Sequence, residues 1–284
     1  MISVVIPAKD EENALGDTIN QIQQALDGWV YEIIVVDDGS QDATADRGKN
    51  AGSRVISHPH NLGYGASLKT GIRAASYDTI VITDADGTYP NNQIPMLLAE
   101  YEKGFDMVVG ARGGRNYHES PLKSPMRLIL KFLVEYTTGR KIPDVNSGLR
   151  VFSKGKVQKY FQHLCNTFSF TTSLTLAYMM DGLFVTYVPI PYHKRVGKTK
   201  VHLLRDSLRT LQYIVEAITY YNPLKLFLLI SFMLLSGSFA ILGLNFFLKF
   251  TILYYISIGG ILMSIQVFCL GLIALLLKQI MVKE

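Results

Sequence analysis

The 284-residue sequence predicts a mainly parallel, Rossmann-like α/β sheet domain over residues 1–200, followed by an amphipathic helix and a two-helix transmembrane hairpin. Three observations predict it. Apolar runs of strand length alternate with helically spaced apolar residues through the first half, the rhythm of βαβ units. Clusters of Asp, Gly and Ser follow those runs directly, at the edge where parallel sheets keep their ligands. After Asn222-Pro223 the composition changes abruptly to two long stretches almost without charge.

The elements follow in order. Strands are expected at Ile2–Pro7, Glu32–Val36, Arg54–Ser57, Thr79–Thr83 and Asp106–Gly110, each an apolar run between polar residues. Leu15, Ile19, Ile22 and Leu26 recur at helical spacing, with Gly28 as the stop. Leu68, Ile72 and Ala75 mark a second amphipathic helix, and Arg150 falls on a further strand. Between about 122 and 138 a broad apolar face accompanies the polar stripe Arg127, Lys131 and Glu135. Residues 201–222 repeat the pattern, with Leu204, Leu208, Leu211, Val215 and Ile218 on one face. Both segments suit helices lying in a membrane interface.

Residues 224–247 and 252–277 each exceed the roughly 20 residues that span a bilayer core. The short link between them holds Lys249 and predicts a hairpin. Met1 leads straight into a strand, so no signal peptide is expected. Lys278 and Lys283 then place the C-terminus and the large domain on the cytosolic face of an integral membrane protein. Cys165 and Cys269 fall in different parts of the chain, so no disulfide framework is expected. Gly237, Gly243, Gly259 and Gly260 suit close packing of helices and leave a homo-oligomer open. The formal net charge of +5 favours anionic partners. The basic residues cluster around apolar stretches rather than on an aromatic-studded face, which favours membrane lipid and nucleotide phosphate over nucleic acid.

The most informative cluster is Asp84-Ala85-Asp86, at the end of the run Ile80–Thr83. Two carboxylates at i and i+2 on a strand end can converge on one hard divalent cation, and Mg²⁺ or Mn²⁺ takes such oxygens together with substrate phosphates. Pro7-Ala8-Lys9-Asp10-Glu11, Asp37-Asp38-Gly39-Ser40 and Gly110-Ala111-Arg112 end neighbouring strands and gather on the same edge. Asp37 and Asp38 can accept from a ribose or a base edge, and Ser40 can cap the following helix. Gly63-Tyr64-Gly65 reads as a tight turn before a helix, with room for backbone to approach a nucleotide. The full Gly-x-x-x-x-Gly-Lys-Ser/Thr phosphate loop does not occur. His58, His60 and His118 read as surface or turn residues, and Arg150 as a structural ion-pair partner.

In combination, Ile-Pro-Ala-Lys-Asp-Glu-Glu-Asn, Val-Val-Asp-Asp-Gly-Ser, His-Asn-Leu-Gly-Tyr-Gly-Ala, Thr-Asp-Ala-Asp-Gly-Thr-Tyr-Pro, Gly-Ala-Arg and Asn-Ser-Gly-Leu-Arg resemble a family 2 glycosyltransferase of GT-A fold. Within that family the sequence resembles the dolichyl-phosphate mannose synthase and polyprenyl-phosphate glycosyltransferase branch over residues 2–200. The resemblance implies a metal-dependent, inverting enzyme that moves one sugar from a UDP- or GDP-linked donor to polyprenyl phosphate. It implies that Pro7, Ala8, Lys9 and Glu11 line the nucleotide, and that Val36 and Asp38 hold base and ribose. Asp84, Ala85 and Asp86 would bracket the diphosphate, with Asp84 and Asp86 on the metal. Arg112 would meet the sugar donor or the lipid phosphate. Asp144 would stand at the reaction centre, either as a base or as a charge-positioning residue. Arg127, Arg195, Lys198 and Lys200 would receive the acceptor phosphate.

Two positions depart from the mannose synthase pattern. Lys9 stands where Tyr is common, and Thr88 where a metal-binding Gln is common. A processive polysaccharide synthase would carry Gln-x-x-Arg-Trp and more membrane helices, whereas the single Trp here is Trp29. A catalytically silent scaffold that binds nucleotide-sugar or lipid would not need Asp84, Asp86, Asp144 and Arg112 together.

Overall fold

The computed structural model describes residues 1–113, 124–194 and 203–281. The chain forms two compact units, Met1–Ile214 and Val215–Glu284.

The first unit is built on a seven-stranded sheet. Its elements run β1 (Ile2–Ala8), α1 (Leu15–Ala25), β2 (Tyr31–Asp37), α2 (Thr44–Asn50), β3 (Arg54–Ser57), α3 (Tyr64–Ala74), β4 (Thr79–Ile82), a 3₁₀ turn (Asn91–Gln93), α4 (Ile94–Tyr101) and β5 (Met107–Gly113). There follow α5 (Ser124–Thr138), β6 (Arg150–Ser153), α6 (Lys154–Gln158), α7 (Phe170–Met180), β7 (Val185–Pro191) and the helix α8 (Leu203–Tyr221), in which the two units divide.

Strand order is β3-β2-β1-β4-β6-β5-β7. β1 pairs parallel with β2 and β4, β2 with β3, and β5 with β7. β6 runs antiparallel to both of its neighbours, β4 and β5. The five expected strands are present, Arg54–Ser57 with the expected bounds and the other four with at least one end shifted, and β7 is additional to them. Its sequence Val-Thr-Tyr-Val-Pro-Ile-Pro carries two prolines, which demote a run as a strand signal. An edge strand tolerates them, because one side of its backbone needs no ladder partner.

β1 is buried along its whole length and serves both faces of the sheet. Ile2, Val4, Ile6 and Ala8 pack with Leu15, Ile19 and Ile22 of α1 and Ile94, Leu97 and Leu98 of α4. Val5, on the other face, joins Leu68 and Ile72 of α3 and Phe170, Leu174 and Tyr178 of α7. This is the two-sided cover that a parallel sheet requires.

The second unit is a hairpin of α9 (Pro223–Leu248) and α10 (Thr251–Met281). Lys249 closes α9 in the left-handed conformation at φ 54° and donates its N–H to the Asn245 carbonyl. Both helices are long and apolar enough to cross a membrane, and only 6% and 11% of their most apolar windows is buried. Tyr254 and Tyr255 stand at one end of α10. At the other, Lys278 Nζ donates to the Tyr221 carbonyl. The distance from Tyr255 to Lys278 is about 35 Å at helical rise, against a hydrocarbon core of about 30 Å. Aromatic and cationic residues thus flank an apolar stretch of membrane length.

Within the hairpin, Ser231 Oγ donates to the Ser264 carbonyl at 2.8 Å. A Cβ on Gly260 would lie 2.1 Å from Ser238 Oγ, and one on Gly271 would lie 2.6 Å from Phe227 Cβ. Gly237, Gly243 and Gly259 have open space instead, so of the four glycines noted in the sequence only Gly260 packs the hairpin. Gly271→Leu is accordingly expected to destabilise the hairpin by about 1–3 kcal/mol through overpacking. Gly243→Leu serves as a neutral control. Thermal unfolding of both variants in detergent checks this, and equal midpoints would refute it.

Candidate active site

Because β1, β2, β4 and β5 run parallel, the residues that follow them emerge on one edge of the sheet. β6 runs the other way, so the loop that precedes it, residues 144–149, arrives at that same edge. Four strand exits and one strand entrance therefore meet there.

The β4 exit carries the carboxylates. Asp86 is 7% exposed, and its Oδ1 accepts from the Thr88 N–H (3.1 Å) and the Thr88 hydroxyl (2.6 Å). Thr88 thus acts as an orienting donor to Asp86. Ala85 is buried, and its carbonyl accepts from Thr18 Oγ1 at 3.2 Å, which ties this loop to α1. Asp84 Oδ1 accepts from the Tyr64 phenol at 2.9 Å. Gly148 also abuts Asp84: a Cβ there would stand 2.9 Å from both carboxylate oxygens. The Gly148 N–H is itself fixed, donating to Tyr89 Oη at 2.6 Å. Burial and the neighbouring Asp84 charge push the Tyr64 phenol well above its ordinary pKa, so it remains a donor.

This donor set fits a divalent cation of one particular kind. Among the described residues no three His, Cys, Asp or Glu side chains gather into an all-protein cage. Two carboxylates at one strand exit suit an ion that keeps waters and takes phosphate oxygens, as Mg²⁺ and Mn²⁺ do.

The β5 exit carries Arg112, which grips Asp144 in a fork. Nε donates to Oδ2 at 2.7 Å and a terminal nitrogen to Oδ1 at 2.9 Å. The Arg112 and Asn146 backbone N–H groups add bonds at 3.1 Å each. Burial works to raise the Asp144 pKa. The Arg112 hydrogen bonds and charge, helped by the two N–H donors, outweigh it and hold the carboxyl below its ordinary value. The Tyr192 ring lies 5.3 Å from the Arg112 guanidinium carbon. Beneath this pair Arg150 is fully buried in the sheet between Ile82 and Val109. It donates to the carbonyls of Ser147 (2.7 Å) and Val145 (2.8 Å) and to Thr175 Oγ1 (2.7 Å). Its hydrogen-bond partners among the described residues are neutral, which corrects the expectation of an ion pair. Arg150 staples the 145–147 loop from below.

The first two exits are sewn together. Asp10, at φ 47°, donates its N–H to Ser40 Oγ (2.9 Å) and accepts from the Gln41 N–H (2.8 Å). The Glu11 N–H donates to Thr44 Oγ1, and Glu12 accepts from the Ala43 N–H. Lys9 Nζ reaches the Gly39 carbonyl at 3.1 Å. Ser40 therefore bridges two loops instead of capping α2. Pro7 and Val36 are buried within β1 and β2, and Ala8 accepts from the Asp38 N–H. Asp38 is 4% exposed and accepts from His58 Nδ1 (2.8 Å) and the N–H groups of Leu62 (2.8 Å) and Gly63 (2.9 Å). His58 is a buried partner of Asp38 and Thr70 rather than a surface residue. Gly63 and Gly65 are required by the protein's own chain. A Cβ on either would come within 2.4 Å of the Asn166 or Cys165 carbonyl oxygen, so that space is not open to a nucleotide.

The side chain of Arg127 on α5, together with Arg195, Lys198 and Lys200, lies outside the described residues, as does His118. Sequence reasoning passed over Tyr64, Tyr89 and Asp10 as polar anchors. A tyrosine between two glycines was the available signal for the first.

The fold recurs among solved structures. The chain is similar to glucosyl-3-phosphoglycerate synthase from Mycobacterium tuberculosis, solved with phosphoglyceric acid, at TM-score 0.64 and 23% identity over 76% of this chain and 79% of that one. The same enzyme solved with Mn²⁺, UDP-glucose and phosphoglyceric acid gives TM-score 0.62 at 23% identity, with the same coverage. The fold is GT-A. Among curated proteins, undecaprenyl-phosphate 4-deoxy-4-formamido-L-arabinose transferase from Salmonella paratyphi B is 28% identical over 249 residues, covering 84% of this chain and 74% of that protein. The family model "Glycosyl transferase family 2" matches residues 3–161, more than half of the chain. The chain belongs to that family and is a glycosyltransferase.

Proposed function

We propose that this glycosyltransferase moves a single sugar from a UDP- or GDP-linked donor to a polyprenyl phosphate at the cytosolic leaflet. The observation that carries the reading is the meeting, on one sheet edge, of the Asp84–Asp86 carboxylates with the Arg112–Asp144 pair. The curated relatives act on undecaprenyl phosphate, as their name states, and the two apolar helices suit a lipid-borne acceptor. The GT-A neighbour binds Mn²⁺ with UDP-glucose, which supports a divalent cation held by Asp84 and Asp86.

A phosphate monoester is anionic at neutral pH, so its oxygen can attack the anomeric carbon with little help from a base. The new bond forms as the bond from that carbon to the diphosphate breaks, and the nucleoside diphosphate leaves with the electron pair. In-line attack inverts the configuration. The cation, when bound, offsets charge on the leaving diphosphate. Arg112, locked in its fork, presents a fixed positive charge beside the reaction. The lowered pKa of Asp144 and its four donors support its role as the holder of Arg112 rather than as a base. Lys9, Glu11 and Asp38 shape the nucleotide end. Arg127, Arg195, Lys198 and Lys200 supply positive charge for the acceptor phosphate. The basic residues Lys278 and Lys283 near the C-terminal end of the second apolar stretch support a cytosolic large unit.

The test is direct. Purified protein in detergent, given Mn²⁺ or Mg²⁺, polyprenyl phosphate and a panel of UDP- and GDP-sugars, is expected to yield a glycosyl-phospholipid by mass spectrometry, and EDTA should abolish it. Transfer to soluble acceptors alone would favour a non-lipid glycosyltransferase. No turnover alongside donor binding would favour a silent scaffold.

A further inference from the structure

The residues that set the angle of Asp84 form a connected clip outside the motif that contains it. At one end, the Lys69 ammonium on α3 is buried and donates to the Leu164 carbonyl and, at 2.7 Å, to Asn166 Oδ1. The 165–167 backbone is thereby pressed onto the start of α3, where the Asn166 carbonyl accepts from the Ala66 N–H at 3.1 Å. The approach is close enough that only glycine fits at 63 and 65. From the same segment Phe168 stacks on the Tyr64 ring, with centroids 5.7 Å apart and planes at 21°. The Tyr64 phenol then donates to Asp84 at 2.9 Å, while the Gly148 backbone lies close against the same carboxylate.

We propose that Tyr64 is a positioning residue that presents the Asp84 carboxylate to the divalent cation, with the Lys69–Asn166–Phe168 clip holding Tyr64 in place. The proposal rests on Asp84 and Asp86 being the cation corner. A carboxylate on a strand end has two free torsions, and a cation held by a pair of carboxylates depends on each being aimed correctly. Partners behind a metal ligand commonly contribute 10- to 100-fold in metal affinity (cation affinity here). Phe168 keeps one side of the Tyr64 ring covered, so the phenol has little freedom to swing away.

The experiment is Mn²⁺ binding to the full chain in detergent, followed by electron paramagnetic resonance, first with Mn²⁺ alone and then with UDP. Tyr64→Phe is expected to weaken Mn²⁺ binding about tenfold. It should raise the Mn²⁺ concentration needed for half-maximal transfer by a similar factor. Excess Mn²⁺ should restore most of kcat, with KM for polyprenyl phosphate unchanged. Gly148→Ala, whose Cβ would press on the Asp84 carboxylate, should shift the same readouts even if the Tyr64 variant folds poorly. Unchanged Mn²⁺ affinity in both variants, or a loss that excess Mn²⁺ does not rescue, overturns the proposal. If wild type and Asp84→Asn bind Mn²⁺ equally, the cation corner itself is misassigned, and the proposal falls with it.

Discussion

Asp86→Asn is expected to lower sugar transfer by at least about 10³-fold while leaving the protein folded. The carboxylate is 7% exposed and accepts two hydrogen bonds from Thr88 through one oxygen. An amide oxygen can keep those bonds, so the loop retains its shape. What is lost is one of the carboxylate charges proposed to hold the divalent cation, and with it the balance of charge around the leaving diphosphate. Glycosyl-phospholipid formation by mass spectrometry, read together with thermal unfolding, measures both halves. A folded variant that keeps a tenth of wild-type turnover would remove Asp86 from the reaction.

Arg112→Lys is expected to cost about 10²-fold in kcat, although the charge survives. The guanidinium meets Asp144 through two nitrogens at 2.7 and 2.9 Å, a fork that an ammonium cannot reproduce. A lysine would keep one contact and swing. The pH dependence separates this arrangement from base catalysis. The Asp144 pKa is depressed in the folded protein, so the stabilisation from its ionised form is present above the unfolded value. It is lost only as pH falls through the folded one. Transfer by wild type should therefore show no limb from Asp144 between about pH 5 and pH 8. An acid limb in that window that vanishes in Asp144→Asn would make Asp144 the base.

Much of the fold was legible because its signals are local. Ile2–Ala8 and Ile80–Ile82 announce themselves as buried strands by composition, and α9 and α10 by length. β7 was hidden by prolines that only an edge position excuses. In the site, Asp84, Asp86 and Arg112 are readable because each stands at a strand exit. The partners of Asp84 and Asp38 are not, because they are settled by pairs far apart in sequence. Tyr64 to Asp84 and His58 to Asp38 each span twenty residues and join the ends of different elements. Asp10, Ser40 and Glu12 offered the same chemistry as ligand-binding residues, and nothing local distinguishes a polar group that holds a loop from one that holds a substrate.

The reversed direction of β6 has a consequence for how the protein comes into being. The sheet β3-β2-β1-β4 is complete once residue 82 has been made, and the carboxylates follow immediately. β5 carries Arg112, but it has no neighbour on that side until β6 inserts between it and β4. The strand that welds the two halves is also the one that delivers Asp144 and Gly148. The two halves of the site therefore cannot be joined through the sheet before residue 153 has been synthesised.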